Sequence, residues 1–256
     1  MESAPKDLAG RVVIITGAGQ GIGRVYAEHF GAAGSKVVVA EINKENGEQA
    51  AKAINDAGGT AIAVPTDVTS EDSVKALVET VMDTYGGIQV LINNAAMSSV
   101  VKSRLIEETP LEDWDAFVRV NVNGTFLCSR AVVPIMRKAK WGRIINISSA
   151  GVNMGMGKLL NYVTSKAAII GFTRGLAREV GPDGITTNAV LPGPVFTEIA
   201  REAETAAFKE LLVTRQSIPR KEVAEDLVGT VMFLSSDASE FLTGQSVTVD
   251  GGLTHL

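Results

Sequence analysis

One cysteine, Cys128, stands in the whole chain of 256 residues, which excludes an intrachain disulfide and a cysteine metal cluster. Two histidines, His29 and His255, lie far apart in sequence, so no His/Cys metal site is expected. Aromatic residues make up only 5% of the chain, too few for a platform that stacks nucleobases. The formal net charge is −5, and an acidic chain sets up no field that recruits nucleic acid or an anionic membrane. No apolar run approaches the roughly 20 residues of a membrane helix. The opening MESAPKDLAG lacks the basic start and apolar stretch of a secretory signal. These absences point to the reducing cytoplasm, with no membrane or nucleic-acid partner.

Glycine is plentiful at 26 residues and the hydrophobic fraction is 45%, the balance of a large core with glycine-rich turns. Short β-branched runs alternate with longer helical patterns. Strands are expected at Arg11–Thr16, Lys36–Glu41, Thr60–Pro65, Gln89–Asn93, Gly142–Ser148, Gly184–Leu191 and Ser246–Val249. Their cores are nearly continuous in Val, Ile and Ala, as in strands covered on both faces, so the sheet is expected to be parallel. Helices are expected near Gly21–Ala33, Lys44–Ala57, Ser70–Tyr85, Leu111–Ala139, Leu160–Val180 and Glu222–Ser235. Gly34, Gly58, Gly86 and Gly181 sit where such helices should stop. The pattern implies one domain over residues 1–256, a doubly wound parallel seven-stranded α/β sheet with helices on both faces. Met97–Pro110 and Pro192–Pro219 break the rhythm.

Directly after the first strand comes Gly17-Ala18-Gly19-Gln20-Gly21-Ile22-Gly23. Strand, glycine turn and helix in that order aim backbone amides and a helix N-terminus at a pyrophosphate, the Rossmann-type arrangement. The usual GxGxxG spacing fails, because Ile22 takes its third glycine position; Gly17-x-x-x-Gly21-x-Gly23 fits instead. Glu41 ends the second strand, where a carboxylate can accept from ribose hydroxyls and repel a 2′-phosphate. Neither Gln20 nor Ile42 adds positive charge, so NAD(H) is expected over NADP(H). Asp67-Val68 closes the third strand and could border the adenine, with helix capping by Asp67 as the rival role. Tyr162 and Lys166 are four residues apart and would share one face of a helix. An ammonium near a phenol lowers a pKa that is otherwise near 10, which suits proton exchange with an alcohol/ketone couple.

With these residues the chain resembles the short-chain dehydrogenase/reductase family along essentially its full length. The resemblance rests on TGAGQGIG (16–23), NNAA (93–96), VNVNG (120–124), NISSAG (146–151), Tyr162 with Lys166, LPGPVFT (191–197) and VDGG (249–252), in that order and spacing. It implies Tyr162 as the acid/base, Lys166 as the group that lowers its pKa and holds the nicotinamide ribose, and Ser149 as the residue that orients the substrate oxygen. Ser148 is a rival by type, and the family spacing selects Ser149. Asn121 would position a water that relays protons through Lys166. Asn94, Ala95 and Ala96 would border the cofactor, with Ala96 replacing the family's usual glycine. Pro192, Gly193, Val195 and Thr197 would line the nicotinamide. The family also implies a homotetramer, paired through Leu111–Ala139 and Leu160–Val180 and again through Val247–Leu256.

The same layout makes Met97, Ser98, Val152, Met154, Leu160, Pro194 and Phe196 candidate substrate contacts. Residues 194–219 would form a lid, with a helix over Glu198–Val213 that either moves or packs permanently on the core. The apolar, methionine-rich character favours a small hydrophobic secondary alcohol or ketone, with Arg201 and Arg215 as conceivable anion contacts. Two other readings compete. One is reduction of a 3-oxoacyl group on an acyl carrier protein, which would use the basic run Arg137, Lys138, Lys140 and Arg143. The other is a non-catalytic dinucleotide sensor, which would not need the catalytic side chains found here.

Overall fold

The computed structural model describes residues 6–97, 102–199 and 206–255. Strands β1 (Val12–Thr16), β2 (Lys36–Glu41), β3 (Thr60–Pro65), β4 (Val90–Asn93), β5 (Gly142–Ile147) and β6 (Ile185–Pro192) belong to one sheet. Outside that sheet, β7 (Val195–Phe196) pairs with β8 (Glu222–Val223); β9 (Ser246–Val249) completes the large sheet beside β6. All pairings are parallel and the order is β3-β2-β1-β4-β5-β6-β9. The chain thus works outward from β1 to β3 and then crosses back to β4. This reversal opens a crevice at the carboxyl ends of β1 and β4.

The helices are α1 (Gly21–Ala32), α2 (Lys44–Asp56), α3 (Glu71–Tyr85), α4 (Leu111–Phe117), α5 (Gly124–Ala139), α6 (Gly151–Met154), α7 (Leu160–Val180), α8 (Ala206–Arg215) and α9 (Glu225–Leu234). Tyr26 and Phe30 of α1, Ile54 of α2 and Leu227 and Val231 of α9 cover one face of the sheet. Leu77 and Val81 of α3 and Val132 and Met136 of α5 cover the other. Each side chain of this size removed from water contributes about 1.5–3 kcal/mol. Cys128 of α5 lies in the second layer at 1% exposure, and burial pushes its thiol up to about 12.

Local chemistry explains the element ends. Asn43 and Ser70 cap α2 and α3 by accepting from the amides of Asn46 and Ser73. Gly34, Gly58 and Gly86 follow helices with positive φ, as expected. Gly181 does not: its φ is −52°, a 3-10 turn extends α7 to Asp183, and the left-handed residue is Gly184.

Three further expectations change. The helix expected over Leu111–Ala139 contains a π turn at Val118–Asn123. The helix expected from Glu222 starts at Glu225, because Glu222 and Val223 pair with Val195 and Phe196. The helix expected over Glu198–Val213 runs over Ala206–Arg215, and residues 200–205 of the expected segment lie outside the described residues.

Gly184 has φ of +75°, and a Cβ there would sit 2.4 Å from the Lys140 carbonyl oxygen. Gly184→Ala should therefore lower stability by about 1–3 kcal/mol, read as an earlier midpoint in urea unfolding with an unchanged m-value.

Candidate active site

At the crevice the end of β1 is bound from two sides. Asn94 donates its Nδ2 to the carbonyls of Thr16 (3.0 Å) and Gly17 (3.1 Å), while Thr16 Oγ1 accepts from the amides of Asn94 and Ala95, both at 3.0 Å. The first turn of α1 closes on the same point. A Cβ on Gly23 would lie 2.2 Å from the Gly17 oxygen, so only glycine lets helix and turn approach this closely. The result is a backbone cradle open to the cleft at the N-terminus of α1, shaped for an anionic group.

Glu41 is buried at the end of β2 and braces this turn. Its Oε2 accepts from the Gly19 amide and its Oε1 from the Asn43 amide, each at 3.0 Å. A carboxylate has further lone pairs beyond those two bonds, and Glu41 still lines the cleft, with Ile42 beside it. Asp67 does not cap α3, a role taken by Ser70; it accepts from the amide and hydroxyl of Thr69 and lines the cleft with Val68. Glu198 reaches across from the segment after β7, and its Oε1 accepts from the Gly21 amide at 2.7 Å. That carboxylate holds the first amide of α1.

The opposite end of the cleft is built on α7, which carries Tyr162 and Lys166 one turn apart. A buried polar ladder fixes this helix to the sheet. Asn93 donates to Asn146 (2.8 Å) and Ser129 (3.0 Å), and Asn146 donates to Thr173 of α7 (2.9 Å). Lys166 is buried and its Nζ donates to the Ile147 carbonyl at 2.9 Å.

The two adjacent serines separate by their partners. Ser148 Oγ donates to the Lys166 carbonyl at 2.7 Å, whereas Ser149 Oγ accepts from the Gly151 amide at 3.1 Å and keeps its own proton to donate. The Tyr162 ring packs edge-on against Phe117 at 6.5 Å. The π turn aims Asn121 inward, where its Oδ1 accepts from the Met97 amide (2.8 Å) and its Nδ2 donates to Ser165 (2.9 Å). Ser165 in turn donates to the Tyr162 carbonyl at 2.7 Å. Asn121 lies beneath the cleft wall and ties its floor to α7.

These parts enclose a cleft of about 910 Å³. Of the residues singled out in the sequence, Gly17, Gln20, Ile22, Gly23, Glu41, Ile42, Asp67, Val68, Asn94, Ala95, Ala96, Met97, Ser149, Met154, Tyr162, Lys166, Pro192, Gly193, Pro194, Val195 and Thr197 line it. Gly19 and Gly21 stand just behind the turn, with their amides on Glu41 and Glu198. Val152, Leu160 and Phe196 are not on the wall; Leu160 is largely exposed and Lys221 lies over the Phe196 ring. Ser98, Arg201 and Ala203 fall outside the described residues.

The wall also includes Ser103 and Leu253, which sequence reasoning did not single out and which no local pattern marks. Among the described wall residues the charged side chains are Glu41, Asp67 and Lys166. The two acids follow β2 and β3, and the lysine stands one turn from Tyr162 on α7. The wall around Met97, Met154, Met156, Leu159, Leu212 and Leu253 carries none. Among the described residues no group of three His, Cys, Asp or Glu side chains is placed to hold a metal, and no helix is long and apolar enough to cross a membrane.

Comparison with known proteins agrees with this geometry. A family model described as enoyl-(acyl-carrier-protein) reductase matches residues 17–254. A 3-oxoacyl-[acyl-carrier-protein] reductase of Synechocystis is 38% identical over 248 residues, 96% of this chain and 98% of the relative. An uncharacterized oxidoreductase of Mycobacterium tuberculosis is 41% identical over 242 residues, 94% of this chain and 96% of the relative. A crystal structure from Agrobacterium tumefaciens, described provisionally as a gluconate dehydrogenase, superposes with a TM-score of 0.92 at 29% identity, covering 99% of this chain and 100% of that one. The chain belongs to the short-chain dehydrogenase/reductase family, oxidoreductases that work with a nicotinamide dinucleotide.

Proposed function

We propose that this protein interconverts a small, neutral, hydrophobic secondary alcohol and its ketone, using NAD(H). The observation that carries the reading is the make-up of the cleft wall: Glu41 and Asp67 after β2 and β3, Tyr162 and Lys166 on α7, and an uncharged stretch of Met97, Met154, Met156, Leu159, Leu212 and Leu253. The Gly23 cradle and the α1 amides fit a pyrophosphate, and Pro192, Gly193, Val195 and Thr197 would flank the nicotinamide, which when bound supplies or accepts hydride. Tyr162 gives a proton to the substrate oxygen in reduction and removes it in oxidation. Lys166, anchored on the Ile147 carbonyl one turn from Tyr162, would hold the nicotinamide ribose. Ser149 donates its free hydroxyl proton to the same substrate oxygen. Asn121, through Met97 and Ser165, keeps the wall and the helix in register. Asp67 and Val68 would border the adenine.

A second reading, reduction of a 3-oxoacyl thioester on a carrier protein, draws support from the names of several relatives. The basic run that would meet an acidic carrier is largely committed, however. Arg137 and Lys140 are paired with Asp183, and Arg143 is buried. For assembly we propose a homotetramer; exposed Leu111 and Phe126 near α4 and α5, and Phe241 ahead of β9, offer apolar surface for contacts between copies.

Four measurements test the reading. Tyr162→Phe removes the proton and keeps the ring, so turnover should fall about 100- to 10,000-fold while the dissociation constant for NADH stays the same. Wild type should favour NADH over NADPH by at least about a hundredfold in kcat/KM, a difference of about 2.7 kcal/mol. Glu41→Gln, which keeps one acceptor for the turn, should narrow that gap about tenfold; equal use of both cofactors by wild type would move the balance to the carrier-protein reading. Because Glu198 holds an amide that the pyrophosphate needs, Glu198→Gln should tighten NADH binding about three- to tenfold in a fluorescence titration.

A further inference from the structure

Tyr26 of α1 and Glu222 of β8 share an unusual condition. Tyr26 is fully buried with its hydroxyl unpartnered, and Glu222 is 4% exposed with both carboxylate oxygens unpartnered. Buried polar groups are nearly always satisfied, so a pair of orphans marks a position with a function or a bound proton. The two are near neighbours, since the Glu222 carboxylate adds to the burial that raises the Tyr26 phenol's pKa.

The other charges facing Glu222 are already committed. Arg220, ahead of β8, makes two bonds of 2.6 Å to Asp226 of α9. Asp250, after β9, accepts from the amides of Gly252, Leu253 and Thr254 and from the Thr254 hydroxyl. The Gly193 amide beside Glu222 donates to the Val249 carbonyl at 2.9 Å. Burial, with Asp250 and Asp226 adding to it, pushes the Glu222 carboxyl up to about 8, against the pull of the Gly193 amide and Arg220. An anion here would leave two charged oxygens buried without a partner near Asp250, which is strongly unfavourable. A neutral acid avoids most of that cost.

Glu222 also lies directly under the cleft. A Cβ on Gly193 would fall 2.4 Å from Glu222 Oε2, so the side chain presses against the turn that carries Pro192, Gly193 and Pro194 along the wall. The backbone pairing of Val195 with Glu222 couples the same two segments.

We propose that Glu222 is a positioning residue for the Pro192–Val195 turn: packed against Gly193 as a neutral acid it seats the turn against the nicotinamide, and loss of its proton unseats it. The proposal rests on the dinucleotide reading of the cleft. Cofactor binding and one proton are then linked, with no substrate contact from Glu222. The sign for stability follows. The folded chain holds this proton more tightly than the unfolded chain, so the contribution is full below the ordinary carboxylate range and is lost as pH rises toward about 8.

The experiment compares wild type with Glu222→Gln, a shape-preserving copy of the neutral acid. NADH binding is titrated from pH 6 to 9.5, and melting temperatures are recorded over pH 5 to 9 without cofactor. Wild type should bind NADH about tenfold more weakly at pH 9 than at pH 7, while Glu222→Gln should match wild type at pH 7 and hold that affinity at pH 9. The variant should also melt above wild type at pH 9, with the difference closing toward pH 5. Parallel binding curves for the two proteins overturn the proposal, as does a tenfold loss of affinity in Glu222→Gln already at pH 7, which would show that the charge is what the turn needs. If wild type binds neither NADH nor NADPH at any pH, the dinucleotide reading falls and takes this proposal with it.

Discussion

The cleft depends on how closely α1 approaches the end of β1. Gly23 sits against the Gly17 carbonyl with no room for a methyl group, and the Asn94 amide holds that same carbonyl from the β4 side. Strand β1, the helix that follows it and the distant β4 are thereby fixed at the point where the sheet reverses direction. Helix α1 then aims its first amides into the opening, and the wall residues after β4 and β6 acquire a fixed floor. Widening this contact would misplace both ends of the cleft together, because the turn between β1 and α1 also carries the amide that Glu41 grips.

Around that contact, polar groups are distributed by function. The buried Asn93–Asn146–Thr173 ladder and the Ser148 bond to the Lys166 carbonyl are internally satisfied and serve to hold α7 in place. Ser149 and Tyr162 face the opening. Low dielectric makes the satisfied ladder rigid and makes any unsatisfied group costly. Among the described residues, Glu222 and Tyr26 are the ionisable members of a small set of buried side chains with unpartnered atoms, and there a proton substitutes for a missing partner.

Much of this was legible in the sequence. Strands sealed on both faces must be apolar throughout, and so β1 to β6 and β9 fell within a residue of their expected bounds. The acid at position 41 and the Tyr162–Lys166 spacing are local patterns, and the structure puts them on one cleft. The remainder depends on partners that local patterns do not show. Glu222 and Val223 precede a strongly helical run, but backbone bonds to Val195 and Phe196 make them a strand. Asn121 sits in a helical pattern, and the π turn that aims it at Met97 and Ser165 answers to contacts made by its side chain. Ser148 and Ser149 are alike in type; the family spacing selects Ser149, and the Lys166 carbonyl that takes the Ser148 hydroxyl gives the physical reason. Tyr26 reads as an ordinary core aromatic until Glu222 arrives beneath it from the far end of the chain.

The lone thiol gives this enzyme a chemical silence. Cys128 is sealed between α5 and the sheet with its proton held tightly, and the thiolate is the form that oxidants and electrophiles attack. The native protein thus offers such reagents no sulfhydryl, and peroxide or disulfide stress leaves its cysteine chemistry untouched. Any labelling of Cys128 reports that α5 has parted from the sheet. The chain carries a built-in gauge of its own opening, placed in the layer beneath the cleft.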